Sequence, residues 1–562
     1  MSEIIECIPN FSEGRDLNVI KAITDAIESA DEVKLLDVDP GADTNRTVVT
    51  FIGTRKGVLA GAFAGIAKAA EVIDMRKHSG AHARLGATDV CPLVPISGIS
   101  AEECVQLSHE LAKKVAEELH IPIYLYEKSA QLPERENLAN IRSGEYEGLR
   151  EKLKDPNWQP DYGKAEFNAK SGATVVGVRE FLIAYNVNLN TSDRKLAGDI
   201  ALTIREKGRL KRDKKGDIVR DENGEALRVP GLLPYTKAVG WYIDEYKMAQ
   251  VSINLTNYKV TPPHVVFEEI RRLANKKGLR VTGSEVVGLI PKEAMIMAGR
   301  YFLNVQGRSE GVPEEVLIRT AIQSLGLNDV SPFEPAQKII EYQFKEFKDS
   351  LVEMTVRGFA DELSTDSPAP GGGSVAALSG SMAASLTAMV ANLTHGKKGY
   401  ERYFNRMNAV AVRSQELKDD LLRLVDLDTA AFNEVMACFR LPKKTAEDKA
   451  KRQAAIQEAT RNAARVPLQV METSLKVLEL TETVSKYGNI NSISDAGVAA
   501  LSADAAIKGA GLNVLINLSG IDNQEFIDGM RKKVAELKQT GRRIVGRIMN
   551  GVDKKIAAMN QP

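Results

Sequence analysis

At 562 residues the chain is long enough for roughly three or four domains. Its 43% hydrophobic and 27% charged content excludes a disordered or collagen-like protein. Lys plus Arg and Asp plus Glu number 75 each, so no net charge steers the molecule to nucleic acid or to an anionic membrane.

The first residues, Met1 to Cys7, lack the basic and apolar regions of a signal peptide and read as a strand. Further strands are expected at Val33 to Val38, Thr47 to Ile52, Leu93 to Ile96 and Ile123 to Tyr126. Apolar positions at three- and four-residue spacing predict helices over 16–29, 57–75 and 101–119. The order suggests a ferredoxin-like split βαβ unit. A related order recurs from Phe181: a strand to Val187, a helix near 192–206, a β pair around Val239 to Ile243 and Ala249 to Leu255, a helix from Val265 to Lys276 and a strand Arg280 to Thr282. The sequence is therefore read as α/β, with two βαββαβ-type lobes over 1–181 and 182–344. Within the second, the charged, Gly-punctuated stretch 209–233 is read as a surface insertion.

A linker at 345–349 leads to an all-α helical-bundle domain, 350–562, with long helices expected over 350–363, 375–393, 405–439, 446–480 and 525–557. Val375 to Thr394 has the ~20-residue length of a membrane span. Its Ser, Thr and Asn residues, its many alanines and its lack of flanking aromatics argue for a bundle helix instead. Cys7, Cys91, Cys104 and Cys438 show no CxxC spacing and no disulfide-scaffold density, so a cytoplasmic protein is expected.

Three stretches have the residue types for chemistry. Met75 to Asp89 holds His78 and His82 among glycines and the cations Arg76, Lys77 and Arg84, which can hold a carboxylate while an imidazole takes a proton. Zinc is a rival reading, although Gly80 disfavours one regular helix carrying both histidines and no third ligand is evident; an ordinary surface loop is another. Pro368 to Ser374 precedes a helix expected to start at Val375, with Ser374 as its cap and free backbone N–H groups able to meet an anion. Finally, Leu421, Val425, Asp428, Phe432, Val435 and Phe439 form an apolar stripe interrupted by a carboxylate. Asp426, about 200° around the helix, falls on a more polar face. Asp428 is then either half of a buried ion pair or a carboxyl whose pKa burial has raised. The basic run Arg531 to Lys555 reads first as a solvated face.

Several of these residues also form familiar motifs. Glu6 to Gly14, Leu36 to Asp39, Thr44 to Val48, Gly86 to Pro92 and Gly144 to Glu147 resemble glutamate formimidoyltransferases. Pro370 to Ala377, Leu424 to Asp428 and Asn513 to Leu518 resemble formimidoyltetrahydrofolate cyclodeaminase. The resemblance spans nearly the whole chain, both halves in order. It implies a folate enzyme of histidine degradation that moves a formimidoyl group from N-formimidoyl-L-glutamate to tetrahydrofolate and then forms 5,10-methenyltetrahydrofolate and ammonia. A one-activity member and a non-catalytic folate-binding assembly protein remain the alternatives. The resemblance further implies His82 as the transferase base, Asp428 as the cyclodeaminase acid, and Gly163, Phe167 and Gly172 in a folate-binding strip. It also implies tetrahydrofolate, polyglutamylated, as co-substrate, no metal, and a ring-like homo-oligomer without nucleic-acid or membrane partners.

Overall fold

The computed structural model describes residues 3–42, 44–80, 83–344 and 350–560. The chain divides into two compact units, Met1–Ala298 with Ile322–Glu346, and Gly299–Ala321 with Phe347–Pro562. The segment 345–349, read from sequence as the linker, lies outside the described residues.

The first lobe of the α/β unit contains β1 (Ile4–Cys7), β2 (Asn10–Phe11), α1 (Leu17–Glu28), β3 (Val33–Gly41), β4 (Arg46–Gly53), α2 (Arg55–Val72), β5 (Thr88–Ser97), α3 (Ala101–Leu119) and β6 (Ile123–Glu127). After α4 (Leu138–Arg142) and α5 (Glu145–Lys152) comes β7 (Thr174–Val178). β1 and β2 lie in line between β4 and β5; β3 flanks β4 antiparallel, and β7 and β6 extend the sheet in parallel beyond β5. Ile5 and Cys7 alternate toward one face, where with Phe51, Leu93, Ile23 and Ile66 they join a core fully withdrawn from water. Local chemistry starts α1 and α3: Asp16 accepts from the N–H groups of Asn18 and Val19, and Ser100 and Glu103 form a capping box. Gly65 lets α2 approach α1, since a Cβ there would meet Ile27 Cγ1 at 2.9 Å.

The second lobe follows the chain order β8 (Ile183–Leu189), α6 (Arg194–Ile204), β9 (Arg209–Leu210), β10 (Arg228–Val229), β11 (Thr236–Ile243), β12 (Met248–Leu255), α7 (Pro263–Lys276) and β13 (Val281–Val287). Its main sheet has the antiparallel order β11-β12-β8-β13. The 209–233 stretch is a small exposed meander in which β9 pairs with β10. Asp213 and Asp221 close successive turns, each accepting two backbone N–H groups. Helices α8 (Lys292–Val305), α9 (Glu314–Leu325) and α10 (Pro335–Lys338) follow. Residues 299–321, at the junction of α8 and α9, group with the helical unit. There a Cβ on Gly311 would meet Ala411 Cβ at 2.3 Å.

The helical unit continues with α11 (Val356–Leu363), α12 (Gly372–Thr394), α13 (Phe404–Phe439), α14 (Ala446–Tyr487), α15 (Ile493–Asn517) and α16 (Gln524–Met559). α12 meets a length-and-composition test for a membrane span, as does Ile490–Gly520. In this fold α12 is a bundle helix: a Cβ on Gly380 would meet Ser474 Oγ of α14 at 2.6 Å. The helix list drawn from sequence omits α15. Its many alanines, with Ile507 and Val514, supply core on several sides while Leu512 and Ile516 stay exposed, so no single apolar stripe marks it.

Candidate functional sites

In the α/β unit the structure assembles four stretches that are far apart in sequence. Met75–Lys77 form one 3-10 turn, after which His78 is extended. The strip 163–172 brackets this loop at both ends: Met75 N donates to Lys170 O at 2.9 Å, and Ala87 N to Ser171 O at 2.8 Å. Asn45, at the turn between β3 and β4, donates its side-chain amide to Ser79 O. α5 contributes Glu145 and Glu147. His82 lies outside the described residues.

Of the three cations expected to hold a carboxylate, only Arg84 has a buried side chain. Arg76 is exposed and pairs with Asp74, whose carboxyl this pairing pulls down to about 2. Lys77 is exposed as well. The Arg84 guanidinium takes Glu147 in a two-pronged pair, Nη1 to Oε2 at 2.9 Å and Nη2 to Oε1 at 2.6 Å, and Glu145 at 2.8 Å. Its Nε donates to His78 Nδ1 at 3.3 Å. The other ring nitrogen of His78 then donates to Asn45 O at 2.9 Å. With both nitrogens engaged, His78 is a brace between Asn45 and Arg84 and not a free base. His78, Arg84, Glu145 and Glu147 line a pocket of about 510 Å³ together with Ser79, Gly80 and Gly144. Arg84 was legible as a candidate in sequence; its carboxylate partners were not, because Glu145 and Glu147 appear there only as part of a motif. The local signal is the acid pair Glu145 and Glu147 in the first turn of α5.

In the strip 163–172, expected from the resemblance to bind folate, two residues are explained by the backbone. Gly163 has φ +87° and Gly172 φ +68°, and a Cβ at Gly172 would meet Leu85 O at 2.1 Å. Phe167 packs against Tyr146, with the Arg150 guanidinium 4.8 Å from its ring centroid. On β1, Glu6 is a buried carboxylate whose Oε2 has no hydrogen-bond partner; burial raises it to about 7, opposed by Arg179.

In the helical unit Asp428 lies against the first turn of α12. A Cβ on Gly373 would come within 2.1 Å of its Oδ1, so only glycine admits the carboxylate there. α12 begins at Gly372, with Gly371 at the cap position, so the expected start at Val375 and the capping role of Ser374 are both corrected. Ser374 is instead fully buried within the first turn. Its Oγ lies 3.1 Å from Val425 O, 3.2 Å from Asp428 Oδ2 and 3.3 Å from Thr429 Oγ1. Desolvation raises the Asp428 carboxyl, and the hydrogen bonds from Ser374 pull it part of the way back.

Asp426 reverses its sequence reading. It is 5% exposed and accepts from Ser350 Oγ at 2.7 Å and Leu351 N at 2.6 Å, anchoring the segment before α11. α13 is covered on more than one side here, so the face opposite the main stripe is buried too. The stripe itself fades toward its end, where Phe439 is exposed and lies under Arg452. The basic run of α16 is partly paired along α14, with Arg547 on Glu482 at 2.9 Å and Lys533 on Glu472.

Comparisons with known proteins span nearly the whole chain. Residues 4–179 match the formiminotransferase domain N-terminal subdomain, 184–345 the formiminotransferase domain, and 355–536 the formiminotransferase-cyclodeaminase family. A formimidoyltransferase-cyclodeaminase of Rattus norvegicus is 39% identical over 557 residues, which is 99% of this chain and all of the relative. A glutamate formimidoyltransferase of Thermoplasma acidophilum is 43% identical over 55% of this chain and 95% of its own length. A methenyltetrahydrofolate cyclohydrolase of Methylorubrum extorquens is 41% identical over 36% of this chain and 97% of its own.

Proposed function

The chain belongs to the formimidoyltransferase-cyclodeaminase family, and on that premise we propose that each unit carries one of two consecutive folate reactions. The α/β unit transfers the formimidoyl group of N-formimidoyl-L-glutamate to N5 of tetrahydrofolate. The helical unit cyclises the product to 5,10-methenyltetrahydrofolate and releases ammonia. One observation carries the reading: the rat bifunctional relative aligns over 99% of the chain, while transferase and cyclohydrolase relatives align nearly end to end over shorter shares.

Transfer passes through a tetrahedral carbon, so a group must take the proton of the attacking nitrogen and return it to the departing amine. His82 fills that role, and Arg84 is the cation placed to hold a substrate carboxylate. In cyclisation N10 attacks the amidine carbon and ammonia leaves protonated. Asp428 is suited to that step, since burial raises its carboxyl above the usual carboxylate range and favours a form that can donate a proton. Neither step calls for a metal or a covalent intermediate.

The strand orders support reading both lobes as ferredoxin-like units, the first extended by β7 and β6. Gly163, Phe167 and Gly172 belong to the folate-binding strip, and the folate is polyglutamylated, as the resemblance implies. Exposed Leu512, Leu515 and Ile516 on α15 support a homo-oligomer, ring-like by the same resemblance. Four free cysteines support a cytoplasmic setting.

A coupled assay of glutamate release and methenyl absorbance tests the whole reading. Both signals are expected from the intact chain, and His82→Ala removes the first while supplied 5-formimidoyltetrahydrofolate is still cyclised. One missing activity in the intact chain points to a one-activity enzyme; two missing activities with folate binding retained point to a binding protein.

A further inference from the structure

The Arg84 side chain is 7% exposed, whereas the carboxylates that neutralise it are not withdrawn from water: Glu145 is 44% and Glu147 63% exposed. Glu147 occupies both terminal nitrogens of the guanidinium, the side-by-side arrangement in which arginine holds any carboxylate. Both groups line the pocket of about 510 Å³, and Arg84 is two residues from His82 in the chain. An acidic ligand entering this pocket therefore finds its natural partner already occupied by a carboxylate of the protein.

We propose that Glu147 is an exchangeable stand-in for a carboxylate of the amino-acid substrate. On binding, a substrate carboxylate takes the fork of Arg84 and Glu147 turns out into water. The inference rests on the transferase reading of the α/β unit and adds to it the residue that gives way. Its physical basis is that a buried cation is costly to leave unpaired, so the empty pocket needs an internal counter-ion. Exchange of one carboxylate for another conserves the ion pairs, and Glu147, already largely exposed, regains its hydration readily. Glu145 is placed differently. It sits at φ +54° at the start of α5, directly after the left-handed Gly144, and gives one oxygen to Nη1, so it stays and leaves a single place for an incoming carboxylate. His78 steadies the guanidinium on its third side through Nε. A ligand without a carboxylate has nothing to offer in exchange, which makes the device selective for ligands that carry one.

The test uses the full chain and begins with wild-type glutamate release, because absence of that activity would sink the transferase reading and leave exchange to be judged by binding alone. The KM for N-formimidoyl-L-glutamate and the calorimetric Kd for L-glutamate are then measured. In Glu147→Gln both should fall by about threefold or more, since an amide competes for the fork more weakly than a carboxylate. Arg84→Lys keeps the charge without the fork and should raise both by about tenfold or more. Glu151→Gln, on the same helix and paired with Lys154, is the control and should move neither. Unchanged or raised KM and Kd in Glu147→Gln, with or without a lowered melting temperature, would overturn the exchange and leave a purely structural ion pair.

Discussion

At the pocket of the α/β unit a buried guanidinium is enclosed by two carboxylates and an imidazole nitrogen, whereas in the helical unit the Asp428 carboxyl faces a serine hydroxyl and owes its raised pKa to burial. The contrast separates two uses of charge. A saturated ion-pair cluster holds its groups ionised and suits the recognition of a charged ligand. A carboxyl tuned by desolvation, with no cation among the causes of its shift, suits the movement of a proton.

The largest expected effect tests the second half of that contrast. Asp428→Asn keeps the volume and removes the titrating group, so cyclodeaminase rate should fall by at least ~10²-fold while transferase rate and melting temperature stay near wild type. Loss of both activities with a lowered melting point would make Asp428 structural instead.

Glu6 shows that an unpaired carboxyl is not special to the helical unit. Its shift from 4.5 to about 7 means the folded state binds the proton more tightly. The stability it contributes is therefore full below pH 4.5 and lost as pH rises through about 7. Glu6→Gln should stabilise the protein by about 3 kcal/mol above pH 8 and by little at pH 4, read by denaturant unfolding at the two pH values. Equal gains at both would rule out this origin.

Asp426 sharpens the comparison within a single helix. Asp426→Asn leaves one of its two donors less well met and should cost about 1–3 kcal/mol of stability, with little change in the cyclodeaminase rate of the folded fraction. A rate loss at full stability would bring Asp426 into the chemistry. The smallest effect is expected from Ser374→Ala. Removing the side-chain hydrogen bond that lowers the Asp428 carboxyl leaves only the backbone N–H of residue 374 to oppose burial, so the Asp428 inflection in the pH–rate profile should move to higher pH. An inflection that stays in place, or moves down, refutes Ser374 as the group that tunes it.

Sequence patterning carried some parts of this structure and not others. Alternation located β4, and three- and four-residue spacing located α1, α3 and the apolar stripe of α13, because a half-buried element writes its period into the chain. The same patterning missed α15, whose alanine-rich surface meets neighbours on more than one side, and placed Asp426 on a polar face for the same reason. It also put Ser374 at a cap, since three glycines usually stop a helix. Gly372 and Gly373 are helical here, and the reason lies fifty-five residues downstream of Gly373, in the carboxylate of Asp428.

The sequence by itself determined the division into an α/β part and a helical part, the strands and helices with a single buried face, and the candidate residues Arg84 and Asp428. Local propensity and periodicity suffice for those, because each depends on residues a few positions apart. Only the tertiary structure decided that His78 is a brace, that Glu147 occupies Arg84, that Asp426 is an anchor and that Asp428 is tuned by Ser374. Each of these follows from which distant groups share a desolvated space, where an unmet charge or hydrogen bond is costly enough to fix its partner.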